Sequence, residues 1–409
     1  NDILFHVMPT CKDWYNIVHD EEHCLFRDIV FGNRAELPLR LQAHRPYSHA
    51  TIAMWIDCMR KTPLKRFALY DTQGASLFHH FNLQSLQKMV EYNLFVGIEE
   101  LVLNDGGIDQ TDMDALNNVV TKLVAQCAPT LKVFVPHKAF TADMVALFLK
   151  DCKSLKEVTM IGSVDVARLN GATLSSIEIL HMSMWSGEHD ASDLFRICPN
   201  LIEVDWGEGE YNPIDSSHIA TLGADCPKLE CITFGARYLK ELGLISGVAT
   251  HIPNIKGITI TDGYYFSDEM ELIGQNCTKL EKFVDRTESE DPPSDLLSHV
   301  GLTIKHLEAS LEYDSYESLL EGLPKVCPNL EFLDLSFLPL DEDECLLMDL
   351  FDKFPSLKAF QLLTTADNLD KEQAVHDENV EIEFRTGIIN SLVNEKNLRT
   401  AELEPVISV

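Results

Sequence analysis

One nine-residue phrase recurs along this chain. It reads CPNLIEVDW at 198–206 and returns as CPKLECITF at 226–234, CTKLEKFVD at 277–285 and CPNLEFLDL at 327–335. We call the first apolar residue after the opening three positions the anchor of each copy. Between the third and the twelfth anchor, the intervals stay between 22 and 28 residues, a period typical of repeats that stack side by side on one continuous core. The thirteen anchors are Leu64, Ile98, Leu131, Leu155, Ile177, Leu201, Leu229, Ile255, Leu280, Ile304, Leu330, Leu357 and Leu398.

Each repeat predicts one short strand followed by one helix. After the anchor Leu330, Leu333 and Leu335 alternate with polar residues as a half-buried strand requires. Between phrases, stretches such as 268–277 carry apolar residues at helical spacing. The fold class is therefore α/β, a leucine-rich-repeat solenoid with a curved parallel sheet inside and helices outside. We assign residues 46–409 to it, with about thirteen repeats and a C-terminal cap.

Cysteine usage fits buried, reduced thiols. The chain has 11 cysteines and no C-x-x-C pair, so neither a zinc site nor a disulfide framework is indicated. Five cysteines occupy the same repeat position, three residues before the anchor, and should form a buried row. This pattern favours a cytoplasmic or nuclear protein. The five are Cys152, Cys198, Cys226, Cys277 and Cys327.

The first 45 residues do not show the repeat. Pro9 can open a helix in which Cys11, Trp14 and Val18 share one face. A second apolar cluster follows at 25–29 on a shorter element. Small helices with this much apolar surface need something to cover it, so we expect a partner at this end of the chain.

This front segment resembles the second half of an F-box. The matching stretches are Asp2-Ile3-Leu4, Thr10-Cys11-Lys12-Asp13-Trp14-Tyr15, His19-Asp20-Glu21-Glu22 and Leu25-Phe26-Arg27-Asp28-Ile29. Thr10 replaces the common valine, Phe26 replaces the common tryptophan, and the opening Leu-Pro helix would lie before Asn1. With the cysteine-containing repeats, the chain looks like the F-box and leucine-rich-repeat family. Residues 1–45 would then be a partial, helical F-box.

The resemblance implies a non-catalytic receptor of a Skp-cullin-F-box ubiquitin ligase. The F-box would bind a Skp-type adaptor, and through it a cullin, while the repeats hold the protein to be ubiquitinated. The alternative is a leucine-rich-repeat scaffold, or an F-box subunit of a different assembly, that works without ubiquitination. The residues expected at the adaptor are Ile3, Leu4, Val7, Cys11, Trp14, Val18, Leu25 and Phe26.

Other chemistries find little support. The phosphate-binding loop, the nucleophile elbow and the H-E-x-x-H metal motif are all missing from the sequence, so no enzyme is indicated. His19 and His23 beside Cys24 could ligate a metal, but they fall within the F-box match, so we expect no metal. A formal charge of −32 disfavours nucleic acid. It favours a basic protein target or serves solubility alone. No apolar run of about 18 residues predicts a membrane span.

The outward residues of the predicted strands argue against a cofactor. An inositol phosphate beneath the sheet would need clustered lysines and arginines, yet these positions supply one lysine and two histidines. We therefore expect no cofactor. The outward residues are Glu157, Thr159, Ile179, His181, Glu203, Asp205, Cys231, Thr233, Gly257, Thr259, Lys282, Val284, His306, Glu308, Phe332 and Asp334.

Aromatic residues recur just beyond the predicted strands. They stand eight to ten residues after their anchors and alternate with carboxylates, so equivalent offsets place them along one rim. Such rings could anchor a partner that carries Lys or Arg beside apolar groups. The alternative is that they cover the loops and pack on the next repeat. The rim residues are Trp185, Tyr211, Tyr238, Tyr264, Tyr265 and Tyr313.

Overall fold

The structure is a computed structural model of the whole chain, and part of the chain is described here. The described residues are 28–31, 52–53, 56–57, 64–69, 81–104, 108, 112–161, 166–169, 171–183, 191–206, 215–234, 243–261, 267–286, 293–309, 316–334 and 353–361. The chain divides into two compact units. Residues 1–213, 225–228 and 407–409 form the first, and residues 214–224 and 229–406 form the second.

The first unit contains a parallel sheet in which each strand pairs with the next one along the chain. Its strands are β1 (Asp28–Phe31), β2 (Arg66–Leu69), β3 (Glu100–Leu103), β4 (Val133–Val135), β5 (Glu157–Ile161), β6 (Ile179–Ser183) and β7 (Glu203–Trp206). Its helices are α1 (Leu83–Glu91), α2 (Met113–Cys127), α3 (Ala142–Asp151), a 3-10 helix (Val166–Leu169) and α4 (Ala191–Ile197).

The second unit repeats the same arrangement, again with parallel pairing in chain order. Its strands are β8 (Cys231–Phe234), β9 (Gly257–Ile260), β10 (Lys282–Asp285), β11 (His306–Glu308), β12 (Phe332–Asp334) and β13 (Ala359–Gln361). Its helices are α5 (Ser216–Asp225), α6 (Leu244–His251), α7 (Ser267–Asn276), α8 (Ser294–Val300) and α9 (Tyr316–Val326).

The anchors fix the register of the strands in both units. Every described anchor is buried, with at most 5% exposure, and in each case the strand begins two residues after the anchor. The backbone of the residue after the anchor links successive repeats. For example, the carbonyl of Glu99 accepts hydrogen bonds from the N–H groups of both Lys132 (2.7 Å) and Val133 (3.0 Å). The predicted repeat register is thus confirmed for twelve anchors; Leu398 lies outside the described residues.

The helices follow from local sequence as well as from burial. Asn82, Asp112 and Thr141 cap α1, α2 and α3, and each side chain accepts a hydrogen bond from a backbone N–H in the first turn. In α2, apolar residues at spacings of three and four form the buried face. Neighbouring helices approach closely where a glycine allows it: a Cβ added to Gly274 of α7 would come within 3.0 Å of the His299 side chain.

The sheet begins earlier than the sequence predicts. Asp28–Phe31 pairs with β2 in parallel, with Asp28 opposite Arg66, although these residues belong to the segment assigned to the helical F-box. For these four residues the helical assignment is wrong. The run Asp-Ile-Val-Phe contains two β-branched residues, which favour a strand when a neighbouring edge is available for pairing. The other residues of 1–45 lie outside the described residues.

Candidate functional site

The free face of each sheet is the surface that the helices leave uncovered. On β5, β6 and β7 the residues Val158, Leu180 and Val204 are fully buried, while their neighbours along the strand are half-buried. The two-residue alternation of the outward positions is therefore confirmed. Four of the sixteen predicted outward residues are nevertheless buried, and all four lie in the second unit: Gly257, Val284, Glu308 and Asp334.

The most charged part of this face in the first unit centres on His181. Its Nδ1 lies 3.1 Å from Oδ2 of Asp205, and its Nε2 lies 3.5 Å from Oε1 of Glu157. Strand register creates this arrangement, because β6 runs between β5 and β7 and Asp205 is directly opposite His181. The hydrogen bond to Asp205, and then the one to Glu157, raise the pKa of His181 to about 9, although burial opposes the shift.

This geometry makes His181 a cation rather than a base or a metal ligand. Each ring nitrogen faces a carboxylate, so both are best satisfied when both carry a proton. A histidine that ligates a metal or accepts a proton needs one nitrogen lone pair free. Among the residues that the structure describes, no group of three or more His, Cys, Asp and Glu side chains could hold a metal ion. The cluster can therefore bind charge.

A second charged cluster occupies the free face of the second unit. The Glu308 carboxylate lies 2.8 Å from Nη2 of Arg286 and 2.7 Å from Nε2 of His306. The His306 ring stacks on Phe332 with centroids 4.2 Å apart. Burial by itself raises the pKa of Glu308, but hydrogen bonds from His306 and Arg286 outweigh it and hold the pKa at about 2. Glu308 is therefore ionised at neutral pH and serves to position Arg286 and His306.

The predicted cysteine row is present. Its members are free thiols with at most 2% exposure, each at or next to the end of a helix: Cys152, Cys198, Cys226, Cys277 and Cys327. The Cys226 thiol lies 3.4 Å from the carbonyl oxygen of Cys198, so these two members of the row are in contact. Burial raises the pKa of Cys277 and of Cys327 to about 12. Because these pKa values keep both groups in the thiol form, Cys277 and Cys327 are structural rather than reactive.

Two features of the repeats escaped the sequence analysis. Cys127 is also fully buried, but it stands four residues before its anchor instead of three. In addition, the position after the anchor is charged in every described repeat except that of Leu201, where it is Ile202, and a ladder of ion pairs joins neighbouring repeats at this position. The alternation of Lys and Glu at this position could have revealed these pairs. The pairs are Lys65–Glu99 (3.1 Å), Lys132–Glu99 (2.7 Å), Lys156–Glu178 (3.0 Å), Lys256–Glu230 (2.6 Å), Lys305–Glu281 (2.8 Å) and Lys358–Glu331.

The two sets of binding residues predicted from sequence both lie outside the described residues. The adaptor set is Ile3, Leu4, Val7, Cys11, Trp14, Val18, Leu25 and Phe26. The rim set is Trp185, Tyr211, Tyr238, Tyr264, Tyr265 and Tyr313. Both sets stay predictions. What the structure adds is the free sheet face, with its two histidine-centred clusters.

The known proteins that this chain resembles are solved structures, and the similarity is low. No family model matches the chain, and no curated protein matches its sequence. The solved structures that resemble it include the Rad7–Elc1 complex from yeast, at 14% identity and a TM-score of 0.43, with 78% of this chain and 75% of that chain covered. The Toll–Spatzle complex from Drosophila has 14% identity and a TM-score of 0.34, covering 59% and 38%. The TLR13–ssRNA13 complex has 14% identity and a TM-score of 0.29, covering 78% and 38%.

The class of protein follows from the repeats themselves. Regular buried anchors, parallel strands paired in chain order and a helix between most strands define an α/β repeat protein of the leucine-rich type. Within the described part of the chain, no helix is long and apolar enough to cross a membrane.

Proposed function

We propose that this chain is the substrate-recognition subunit of a Skp-cullin-F-box ubiquitin ligase. The observation that carries the proposal is a junction: the F-box-like stretch ends with Leu25-Phe26-Arg27-Asp28-Ile29, and β1 begins within that stretch, at Asp28. In the sequence, no linker separates the two. A receptor needs such a junction, because a flexible joint between adaptor and target would lower the effective concentration of the target lysine near the conjugating enzyme.

The chain itself would perform no chemistry. Its contribution is to hold a target protein while other subunits supply the reactive thioester, so that a slow encounter between two molecules becomes a step within one complex. The charged clusters on the free face suit this role, because they offer ionic recognition without a free base, nucleophile or metal ligand. We place this activity in the cytoplasm or the nucleus, which imaging of a tagged chain would test.

The first experiment tests the adaptor. The chain is co-expressed with a Skp-type adaptor and the complex is isolated by affinity and size-exclusion chromatography. Trp14→Ala should abolish co-purification, because this ring lies at the centre of the apolar face predicted from sequence. Trp185→Ala is the matched control and should leave the complex intact. Equal recovery of the adaptor with both variants, or no recovery with the wild-type chain, would contradict the proposal.

The second experiment separates a ligase from a scaffold. The purified adaptor complex is assembled with a cullin, a RING protein and a ubiquitin-conjugating enzyme, and ubiquitin transfer to co-purified proteins is followed by mass spectrometry. Transfer that depends on Trp14 supports the ligase. Adaptor binding without any transfer would instead support a subunit of a different assembly.

The third experiment tests the rim. Replacing Tyr238, Tyr264 and Tyr313 together by alanine should reduce recovery of the target while the adaptor is retained. Quantitative mass spectrometry of the purified complexes measures both in one sample. Unchanged target recovery would mean that the rings only cover the loops.

A further inference from the structure

The free face of β5, β6 and β7 presents carboxylates on both sides of an apolar residue. Glu157, Ile179 and Glu203 begin these three strands and lie opposite one another in register. Neighbouring strands are about 4.8 Å apart, so Glu157 and Glu203 stand about 10 Å apart with Ile179 between them. All three side chains are half-buried, which leaves each accessible to a partner without leaving it free to move widely. His181 and Asp205 follow two residues further along β6 and β7. We call these five residues the acidic sheet surface.

The charges of the acidic sheet surface do not balance. His181 is shared between Asp205 and Glu157, which leaves three carboxylates for one cation. The Glu203 carboxylate has no hydrogen bond or ion pair within the described part of the chain. The free-face positions of β4 to β7 contain neither lysine nor arginine.

Nearby lysines cannot supply the missing positive charge. Lys132 and Lys156 precede β4 and β5, but their ammonium groups are held by Glu99 and Glu178 at 2.7 Å and 3.0 Å. A binding partner would therefore have to bring its own cations, and an apolar group to cover Ile179.

The spacing of these groups matches one face of an α-helix. Helical residues i and i+7 lie about 10.5 Å apart along the axis, and residues i+3 and i+4 lie between them on the same face. We propose that the acidic sheet surface docks a helical segment of a partner protein that carries Lys or Arg at positions i and i+7 and an apolar residue at i+3 or i+4. The cations would meet Glu157 and Glu203, and the apolar residue would cover Ile179. This inference rests on the proposed function, because it names the class of target protein that the receptor would bind.

His181 gives the docking surface a signature that simple packing would lack. Its charge offsets part of the carboxylate charge and competes with the incoming cation for Glu157 and Asp205. Removing the charge should therefore strengthen the attraction for a basic helix, while removing the charge of Glu203 should weaken it. Two substitutions on the same surface are thus expected to change the affinity in opposite directions.

The experiment measures binding of a defined peptide to the full chain without the adaptor. The probe is an acetylated and amidated alanine-based helix with lysines at i and i+7, leucines at i+3 and i+4, and a fluorescein label. The comparison peptide has glutamate in place of both lysines. Affinity is measured by fluorescence anisotropy at low salt, where ionic contacts are least screened.

The lysine peptide should bind and the glutamate peptide should not. Glu203→Gln should weaken binding about three- to five-fold, a typical range for one exposed ionic contact. His181→Gln should tighten it about two-fold or more. Glu281→Gln changes the net charge by the same amount as Glu203→Gln but lies in the ion-pair ladder of the second unit, so it should leave affinity unchanged.

Three results would overturn the inference. These are equal binding of the two peptides, no effect of Glu203→Gln, or weaker binding after His181→Gln. The Glu203 carboxylate makes no ion pair or hydrogen bond to the described residues, so its variant should fold normally, which circular dichroism and thermal melting would verify. Because the adaptor is absent from this assay, peptide binding can succeed even where adaptor binding or ubiquitin transfer fails, and the two proposals are tested separately.

Discussion

Replacing Asp205 should lower the pKa of His181. The carboxylate of Asp205 is the nearer of its two partners, at 3.1 Å, and contributes most to the pKa of about 9. Asp205→Asn keeps the size of the side chain and one oxygen that can accept a hydrogen bond from His181, but it removes the charge. Glu157 remains at 3.5 Å, so the pKa of His181 should fall towards 6.5 without reaching it.

The size of the effect can be bounded from the structure. A pKa of about 9 in place of 6.5 corresponds to about 3 kcal/mol at 1.36 kcal/mol per pH unit. The His181, Asp205 and Glu157 side chains are 29%, 31% and 36% exposed, however, so water screens much of this interaction. We expect a net contribution of about 1–2 kcal/mol to the free energy of unfolding. Because the folded-state pKa is raised, this contribution is complete below pH 6.5 and is lost as the pH rises through about 9.

The assay is NMR titration of histidine ring protons, with the His181 signal identified by its loss in His181→Gln. The wild-type signal should titrate near pH 9 and the Asp205→Asn signal clearly lower. Thr159→Val is the matched control, because Thr159 lies opposite His181 on β5 but carries no charge. If the wild-type His181 titrates near its ordinary value, or if Asp205→Asn leaves its pKa unchanged, the charge assignment of this cluster is wrong.

Three further predictions test the repeat frame. Leu280→Ala should reduce the free energy of unfolding by about 3 kcal/mol, because this anchor is fully buried. The control Leu302→Ala, at a site that is 68% exposed, should change it by less than about 0.5 kcal/mol. Equal losses of stability in chemical denaturation would refute the anchor register. In the native protein, iodoacetamide should label the half-buried Cys231 much faster than Cys277, and peptide mass spectrometry giving similar rates would contradict the buried row. The melting temperature of the wild type should exceed that of Glu308→Gln at pH 4.5, and this difference should shrink as the pH falls towards 2, because the pKa of Glu308 is lowered. A difference that stays constant over this pH range would contradict the ionisation of Glu308.

The sequence predicts the repeat frame well because one physical requirement recurs in every copy. An apolar side chain must fill the bend before each strand, so anchors such as Ile177 and Leu280 can be found by spacing alone. The first strand was missed for a related reason. Its residues overlap the F-box resemblance, and Leu64 is the first anchor that the repeat spacing identifies. Phe26, which we counted in the adaptor set, stands two residues before β1, the position that anchors hold in the other described repeats.

The charged clusters could be predicted only in part. The alternation of strand residues placed Glu157, His181 and Asp205 on the free face, but it could not show that they meet. Their contact depends on the register between three strands that belong to three different repeats. Likewise, the repeat spacing could not show that Glu308 is buried, because its burial depends on the side chains that contact it, among them Arg286 and His306.

The same register explains why unbalanced charge is concentrated on a few strands. In a stack of repeats, a given position recurs about every 4.8 Å, so a row of like residues forms whether or not it serves a function. Where the row alternates in sign, as in the ladder of Lys256–Glu230 and Lys305–Glu281, the charges satisfy each other. In the row one residue further along, Glu157 and Glu203 flank Ile179 without a lysine or arginine between them, so negative charge is left over there. The sites to test first are therefore places such as Glu203, where a repeat departs from the pattern of its neighbours and a carboxylate has no ionic partner among the described residues.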